Sequence, residues 1–204
     1  MSLTADEEIT LQTYNKLAKS WASGHLNPDY WREELTEFSK QLPKGKILEV
    51  GCGGGRDAKE LLKLGYEYTG TDLSVALLKE ARAANPSATF IQASLYDLDF
   101  PEQFDGFWCA AVLLHIPKHR IHEALQAIKR NVKKDGVGFI AIKEGTFEGV
   151  ETGHEYDGDG RFFAYWQNDE FKAALAANGF KVVKEARKPL SKLTTWLVYF
   201  VRIQ

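Results

Sequence analysis

The chain reads as an α/β protein: a Rossmann-like, seven-stranded, mostly parallel sheet with helices on both faces and a C-terminal antiparallel hairpin. Three observations predict this. Strand-like and helix-like runs alternate from Lys46 onward, the pattern of a parallel sheet covered on both sides. The first strand-like run ends in "GCGGG", four glycines in the five positions Gly51 to Gly55. The last two apolar runs are joined by a stretch too short for a crossover helix, so they must pair antiparallel.

In chain order, "DEEITLQTYNKLAKSWASG" and "PDYWREELTEFSKQL" predict two helices that carry Tyr14, Trp21, Tyr30, Trp31 and Phe38. At 204 residues the chain suits one domain, with residues 1–44 as a helical cap on a core of residues 45–204. Strands are expected at "KILEV", "YEYTGTD", "ATFIQA", "FDGFWCAAVL", "GVGFIAIKE", "FKVVKEA" and "TTWLVYFVRI". Helices are expected at "GRDAKELLKLG", "SVALLKEARAAN", "KHRIHEALQAIKRNVK" and "NDEFKAALAANG". The link between the third and fourth strands is too short for a full helix. Asp72-Leu73-Ser74 and Asn168 are expected as helix caps. Gly65, Gly136 and Gly179 are expected as left-handed residues after helices. Glu144 to Trp166 reads as a long loop, glycine-rich and acidic, of the length that is usually either a lid or a disordered insertion.

Composition excludes several classes. The net charge is −2, which gives no basic surface for nucleic acid. No apolar run is long enough to span a bilayer, and the polar start "MSLTADEEITLQ" lacks the apolar core of a signal peptide. Cys52 and Cys109 make neither a zinc spacing nor a disulfide framework, so reduced thiols in a cytoplasmic protein are expected. His115, His119 and His122 have helical spacing, but Pro117 divides them, and no metal is expected. The state is read as monomer or homodimer.

Ligands of open parallel sheets bind at the carboxyl ends of strands. Glycines there let a ligand approach the main chain, and the following helix N-terminus favours negative charge. A dinucleotide fingerprint from Gly51 would need a third glycine where Arg56 stands. The pattern present is instead Glu49-x-Gly51-x-Gly53-x-Gly55. It resembles the first motif of the class I S-adenosylmethionine-dependent methyltransferases, and the resemblance runs from Lys46 to Gln204. Small-molecule members of the ubiquinone-biosynthesis and tellurite-resistance types are nearest in character.

The resemblance implies S-adenosylmethionine as cofactor. It assigns Glu49, Gly51, Cys52, Gly53, Gly55 and Arg56 to the first motif, Asp72 to the ribose hydroxyls and Leu73 to the adenine. Ser94 and Leu95 follow the third strand, and Ala110 to Leu113 lie near the methionine end. Tyr14 and Trp21 resemble the entry helix that closes over the cofactor in related methyltransferases, with simple helix packing as the alternative. His115 is placed as a base or as an ordering residue of its loop. Arg161 is read as a cation for an acidic substrate group, with the aromatics around it as β-like packing. The chain has "LLHIP" where nucleic-acid amino-methyltransferases carry an acid- or amide-Pro-Pro-aromatic motif, which leaves a small-molecule acceptor. A non-catalytic S-adenosylmethionine-binding protein and an NAD-dependent oxidoreductase stay open as alternatives.

Overall fold

The computed structural model describes residues 2–153, 159–191 and 194–204. Its elements are α1 (Ala5–Gly24), α2 (Arg32–Gln41), β1 (Lys46–Val50), α3 (Arg56–Lys63), β2 (Glu67–Asp72), α4 (Val75–Ala84), β3 (Thr89–Gln92), β4 (Phe104–Ala110), α5 (Ile121–Arg130), β5 (Val132–Lys143), β6 (Glu148–Thr152), β7 (Gly160–Ala164), α6 (Asn168–Ala177), β8 (Phe180–Pro189) and β9 (Thr195–Ile203). Seven strands form one sheet in the order β3-β2-β1-β4-β5-β9-β8. The first five are parallel, and β9 runs antiparallel to both β5 and β8.

The alternation of side chains along each strand builds two cores. Ile140 and Ile142 of β5, with Leu197, Tyr199 and Val201 of β9, pack against Leu125 and Ile128 of α5 and Phe171 of α6. Phe139 and Ala141, with Val198 and Phe200, face the other way onto Phe38 of α2, Leu61 of α3 and Leu78 of α4. Trp108 stacks on Phe139 with ring centres 3.8 Å apart. Strand order reverses at β1, so the ligand crevice of this topology opens at the carboxyl ends of β1 and β4.

Helix α1 docks through polar groups. Its buried residues are Glu7, Thr10, Thr13 and Ala18. The Thr13 hydroxyl donates to the Gly160 carbonyl at 2.6 Å, and the Phe162 N–H donates to the Thr10 hydroxyl at 2.7 Å. Arg120 donates to Glu7 at 2.7 Å, and Tyr96 donates to the same carboxylate.

Four local expectations are corrected. Strand β4 ends at Ala110, and Leu113 lies in a 3₁₀ turn, Leu113–His115. Gly136 sits inside β5, and Asp135 takes the left-handed conformation at φ +62°; a short polar side chain tolerates that region better than most. Gln167, not Asn168, caps α6, while the Asn168 side chain accepts from the Tyr199 hydroxyl at 2.7 Å. The stretch from Glu144 to Trp166 is not one long loop. It carries the antiparallel ribbon β6–β7, and every residue of β7 is buried. His154 to Gly158, whose acids and glycine entered the loop reading, lie outside the described residues.

Candidate active site

The turn after β1 is the first wall of the site. Gly53 has φ +53°, and a Cβ built on it would meet no atom within 4 Å. That face of the turn is therefore open to a ligand. Gly55, at φ +81°, is different: a Cβ there would lie 2.7 Å from the Asn85 amide nitrogen. The Asn85 side chain donates to the Gly55 carbonyl at 2.8 Å and fastens the turn to α4. One glycine makes room for a ligand and the other for a helix.

Asp72 ends β2 beside this turn. Its carboxylate accepts from the Gly53 N–H and from the Ser74 N–H, each at 2.8 Å. Burial raises its pKa, against those hydrogen bonds, which lower it. Glu49 is buried on β1 and accepts from the Tyr68 hydroxyl. Burial, with Asp57 nearby, pushes its carboxyl well above the usual range. Arg56 makes a two-point contact with Asp57, at 2.6 and 3.1 Å, and the Trp108 indole donates to that carboxylate at 3.0 Å. Arg56 also lies over the Tyr30 ring, 5.0 Å from its centre. Burial pushes both thiols up, that of Cys109 to about 12, so neither is a reactive thiolate at neutral pH.

A hydrogen-bonded chain forms the opposite wall. His115 Nδ1 lies 2.7 Å from the Phe162 carbonyl, which can only accept, so Nδ1 carries the proton. His115 Nε2 then accepts from the Tyr14 hydroxyl at 2.9 Å. Arg161 donates to the Tyr14 oxygen at 2.8 Å. Burial above all, with the Arg161 and Lys143 charges adding to it, lowers the His115 pKa to about 3 despite the Phe162 bond. The imidazole is neutral at physiological pH. Ala111, in the loop between β4 and the 3₁₀ turn, has φ +61°; a non-glycine residue held there stores strain of about 1–2 kcal/mol.

Both walls belong to one cavity of about 800 Å³. Pockets for small molecules span about 300–1,000 Å³, so a nucleoside-sized molecule and a second small one fit together.

A methyltransferase-domain model matches residues 47–136. A ubiquinone biosynthesis O-methyltransferase of Histophilus somni is 28% identical over 166 residues, 72% of this chain and 69% of that protein. The chain spans from 55% to 72% of the lengths of its curated relatives of this kind. Among solved structures, the 1,6-didemethyltoxoflavin-N1-methyltransferase of Burkholderia thailandensis, bound to 1,6-didemethyltoxoflavin and S-adenosylhomocysteine, superposes with a TM-score of 0.79. It is 21% identical, covering 100% of this chain and 92% of that one. The DhpI–S-adenosylhomocysteine complex gives 0.76 at 19% identity, covering 99% and 98%.

Residues 47–136 are a methyltransferase domain of the class I, S-adenosylmethionine-dependent kind. Its cofactor is S-adenosylmethionine, and the nicotinamide alternative is set aside. In this methyltransferase the first-motif residues Glu49, Gly51, Cys52, Gly53, Gly55 and Arg56 line the cavity together with Asp72, Leu73, Ser94 and Leu95. Tyr14, Ala110, His115 and Arg161 line it too. Leu113 does not: it is fully buried in the core, and its neighbours Val112 and Leu114 face the cavity. Asp57 and Lys143 are wall residues that the sequence did not single out. Asp57 was visible inside the first motif, but its grip on Arg56 and Trp108 was not. Lys143 looked like the ordinary polar end of an apolar strand.

The residues present fit the cofactor. The open face of Gly53 and the Asp72 carboxylate beside it form a polar cradle on exposed main chain.

Proposed function

We propose that this methyltransferase transfers a methyl group to a small organic acceptor in the cytoplasm, with residues 1–44 and the β6–β7 ribbon closing over the site. The observation that carries the reading is the single cavity joining the Gly53–Asp72 cradle to the Tyr14–His115–Arg161 wall. Its size favours catalysis over simple cofactor storage, because it extends past the cradle into a second, aromatic compartment. Ubiquinone biosynthesis O-methyltransferases among the relatives support an oxygen acceptor.

Gly51, Gly53, Asp72, Leu73, Ser94 and Leu95 would hold the nucleoside part of the cofactor. When bound, S-adenosylmethionine supplies an electrophilic methyl group on a sulfonium whose departure leaves a neutral thioether. The protein's part is to orient the acceptor and exclude water. Tyr14 and Trp21 meet edge to face, ring centres 5.3 Å apart, and Arg161 lies over both rings, at 5.1 and 4.5 Å. We assign His115 to positioning: with Nδ1 on the Phe162 carbonyl and Nε2 on Tyr14, it fixes the tyrosine hydroxyl.

Calorimetry with S-adenosylhomocysteine and with NAD tests the cofactor site. Binding of the first alone is expected, and Gly53→Val should abolish it by filling the open face. Normal binding by a folded Gly53→Val protein would make the glycine turn purely structural. A methyl-acceptor screen against a metabolite library then tests catalysis.

A further inference from the structure

One imidazole of the cavity keeps a ring nitrogen unused. His25 follows the last turn of α1 and lines the cavity, as do Trp21 and Ala22 of that helix. Its ring stacks on the Trp21 indole, centres 3.7 Å apart. Its Nδ1 lies 2.8 Å from the Trp21 carbonyl, which can only accept, so Nδ1 carries the proton. Nε2 then holds a lone pair, and among the described residues nothing donates to it. His115, by contrast, has both nitrogens engaged.

Packing places that lone pair beside the cofactor cradle. A Cβ built on Gly54 would lie 2.7 Å from the Ala22 Cβ, so α1 rests directly on the glycine turn. His25 stands three residues on from Ala22, the spacing that shares a helix face. The charged groups acting on it come from both walls: Arg56 at the start of α3 and Arg161 of β7. Partial burial of the stacked ring above all, with those two charges adding to it, holds its pKa below the ordinary 6.5 against the Trp21 bond. The imidazole is uncharged at physiological pH and able to take a proton. The residue is otherwise exposed, so that proton can leave to water. Tyr30, Trp31 and Trp196 line the same cavity, an aromatic surface that suits a ring.

We propose that His25 is the catalytic base and that the methyl acceptor is an un-ionised hydroxyl on an aromatic ring, held by His25 Nε2. The inference rests on the methyltransferase reading of the cavity. The acceptor's O–H proton passes to Nε2 as an oxygen electron pair forms the bond to the methyl carbon. The electron pair of the methyl–sulfur bond stays on sulfur, and the imidazolium releases its proton to water.

The test is calorimetry of the full chain saturated with S-adenosylhomocysteine, titrated with 4-methylphenol and with its methyl ether, 4-methylanisole. The phenol should bind roughly tenfold tighter, a difference of about 1.4 kcal/mol, because only it donates to a lone pair. That preference should fade as the pH falls below 6.5, because an imidazolium has no lone pair to offer. His25→Phe keeps a ring on Trp21 and should erase the preference, with S-adenosylhomocysteine affinity unchanged. His25→Gln, whose amide oxygen accepts a hydrogen bond but takes no proton, should keep part of the preference. It should nevertheless slow single-turnover methylation of 4-methylphenol by about 100-fold. Equal binding of phenol and ether, or a preference that survives in His25→Phe, would overturn the proposal. So would unslowed methylation by His25→Gln, or no methylation by the unaltered protein. A loss of S-adenosylhomocysteine affinity in His25→Phe overturns it too, by giving the imidazole to the cofactor. Failure of the unaltered protein to bind S-adenosylhomocysteine overturns the methyltransferase reading as well. Binding it without a phenol preference overturns the base alone.

Discussion

Asp72 shows how one side chain serves both the fold and the ligand. Its carboxylate already ties the glycine turn to the start of α4, and the lone pairs left over face the cavity. Asp72→Ala should weaken S-adenosylhomocysteine binding by about 1–3 kcal/mol, the cost of leaving buried donors without a partner. Unchanged affinity in a folded variant would remove its ribose assignment. His115 gives a pH signature. Its folded pKa, about 3, lies below the ordinary 6.5. The unfolded chain therefore takes up a proton that the folded protein refuses. Stability from this group is complete above pH 6.5 and falls as the pH drops toward 3, with a slope of at most about 1.4 kcal/mol per pH unit. Glu49 and Asp72, with raised pKa values, act in the opposite sense, losing stability as the pH rises. Both are present in His115→Asn, so comparing denaturant unfolding of the two proteins from pH 7 to 4 isolates the histidine. The variant should lose less stability on acidification; equal losses would contradict a buried, neutral imidazole.

At the scale of elements, α1 decides whether the site has a roof. It contributes Tyr14 and Trp21 to the cavity, yet it is held by hydroxyls and by a charge cluster rather than by an apolar stripe. Thr4 and Glu7 form a capping box at its N-terminus, with the Thr4 N–H donating to Glu7 at 2.7 Å. Glu7 then takes Arg120 and Tyr96 from across the chain. Breaking a buried ion pair by removing one partner costs about 3–5 kcal/mol. Arg120 keeps Glu123 at 3.0 Å, so Glu7→Ala should cost near the lower end, about 3 kcal/mol, and weaken S-adenosylhomocysteine binding along with it. Thermal unfolding measures the first and calorimetry the second. A variant of unaltered stability would show that α1 is anchored elsewhere.

Across the whole molecule, the roof is joined to the ribbon, because the Thr10 and Thr13 hydroxyls sew α1 to β7. We expect hydrogen exchange to slow together in α1 and β7 when S-adenosylhomocysteine binds. Protection confined to the β1 turn and α4 would separate the roof from the cofactor. Much of this architecture was legible in the chain alone. The alternation of runs, the "GCGGG" turn, the acid at Asp72 and the terminal hairpin follow from local periodicity, backbone sterics and loop length, which are properties of neighbouring residues. Pairing across the chain was not legible. The β-like packing expected around Arg161 is the buried strand β7, but nothing local told that Tyr14 would bridge His115 and Arg161, or that Leu113 would turn into the core one residue before a cavity-lining leucine. Those outcomes depend on contacts between residues far apart in sequence, whose energies exist only once the sheet has brought them together. The sequence by itself determined the fold and the identity of the cofactor; only the tertiary structure decided which side chains share one cavity, because that depends on distance and burial rather than on order along the chain.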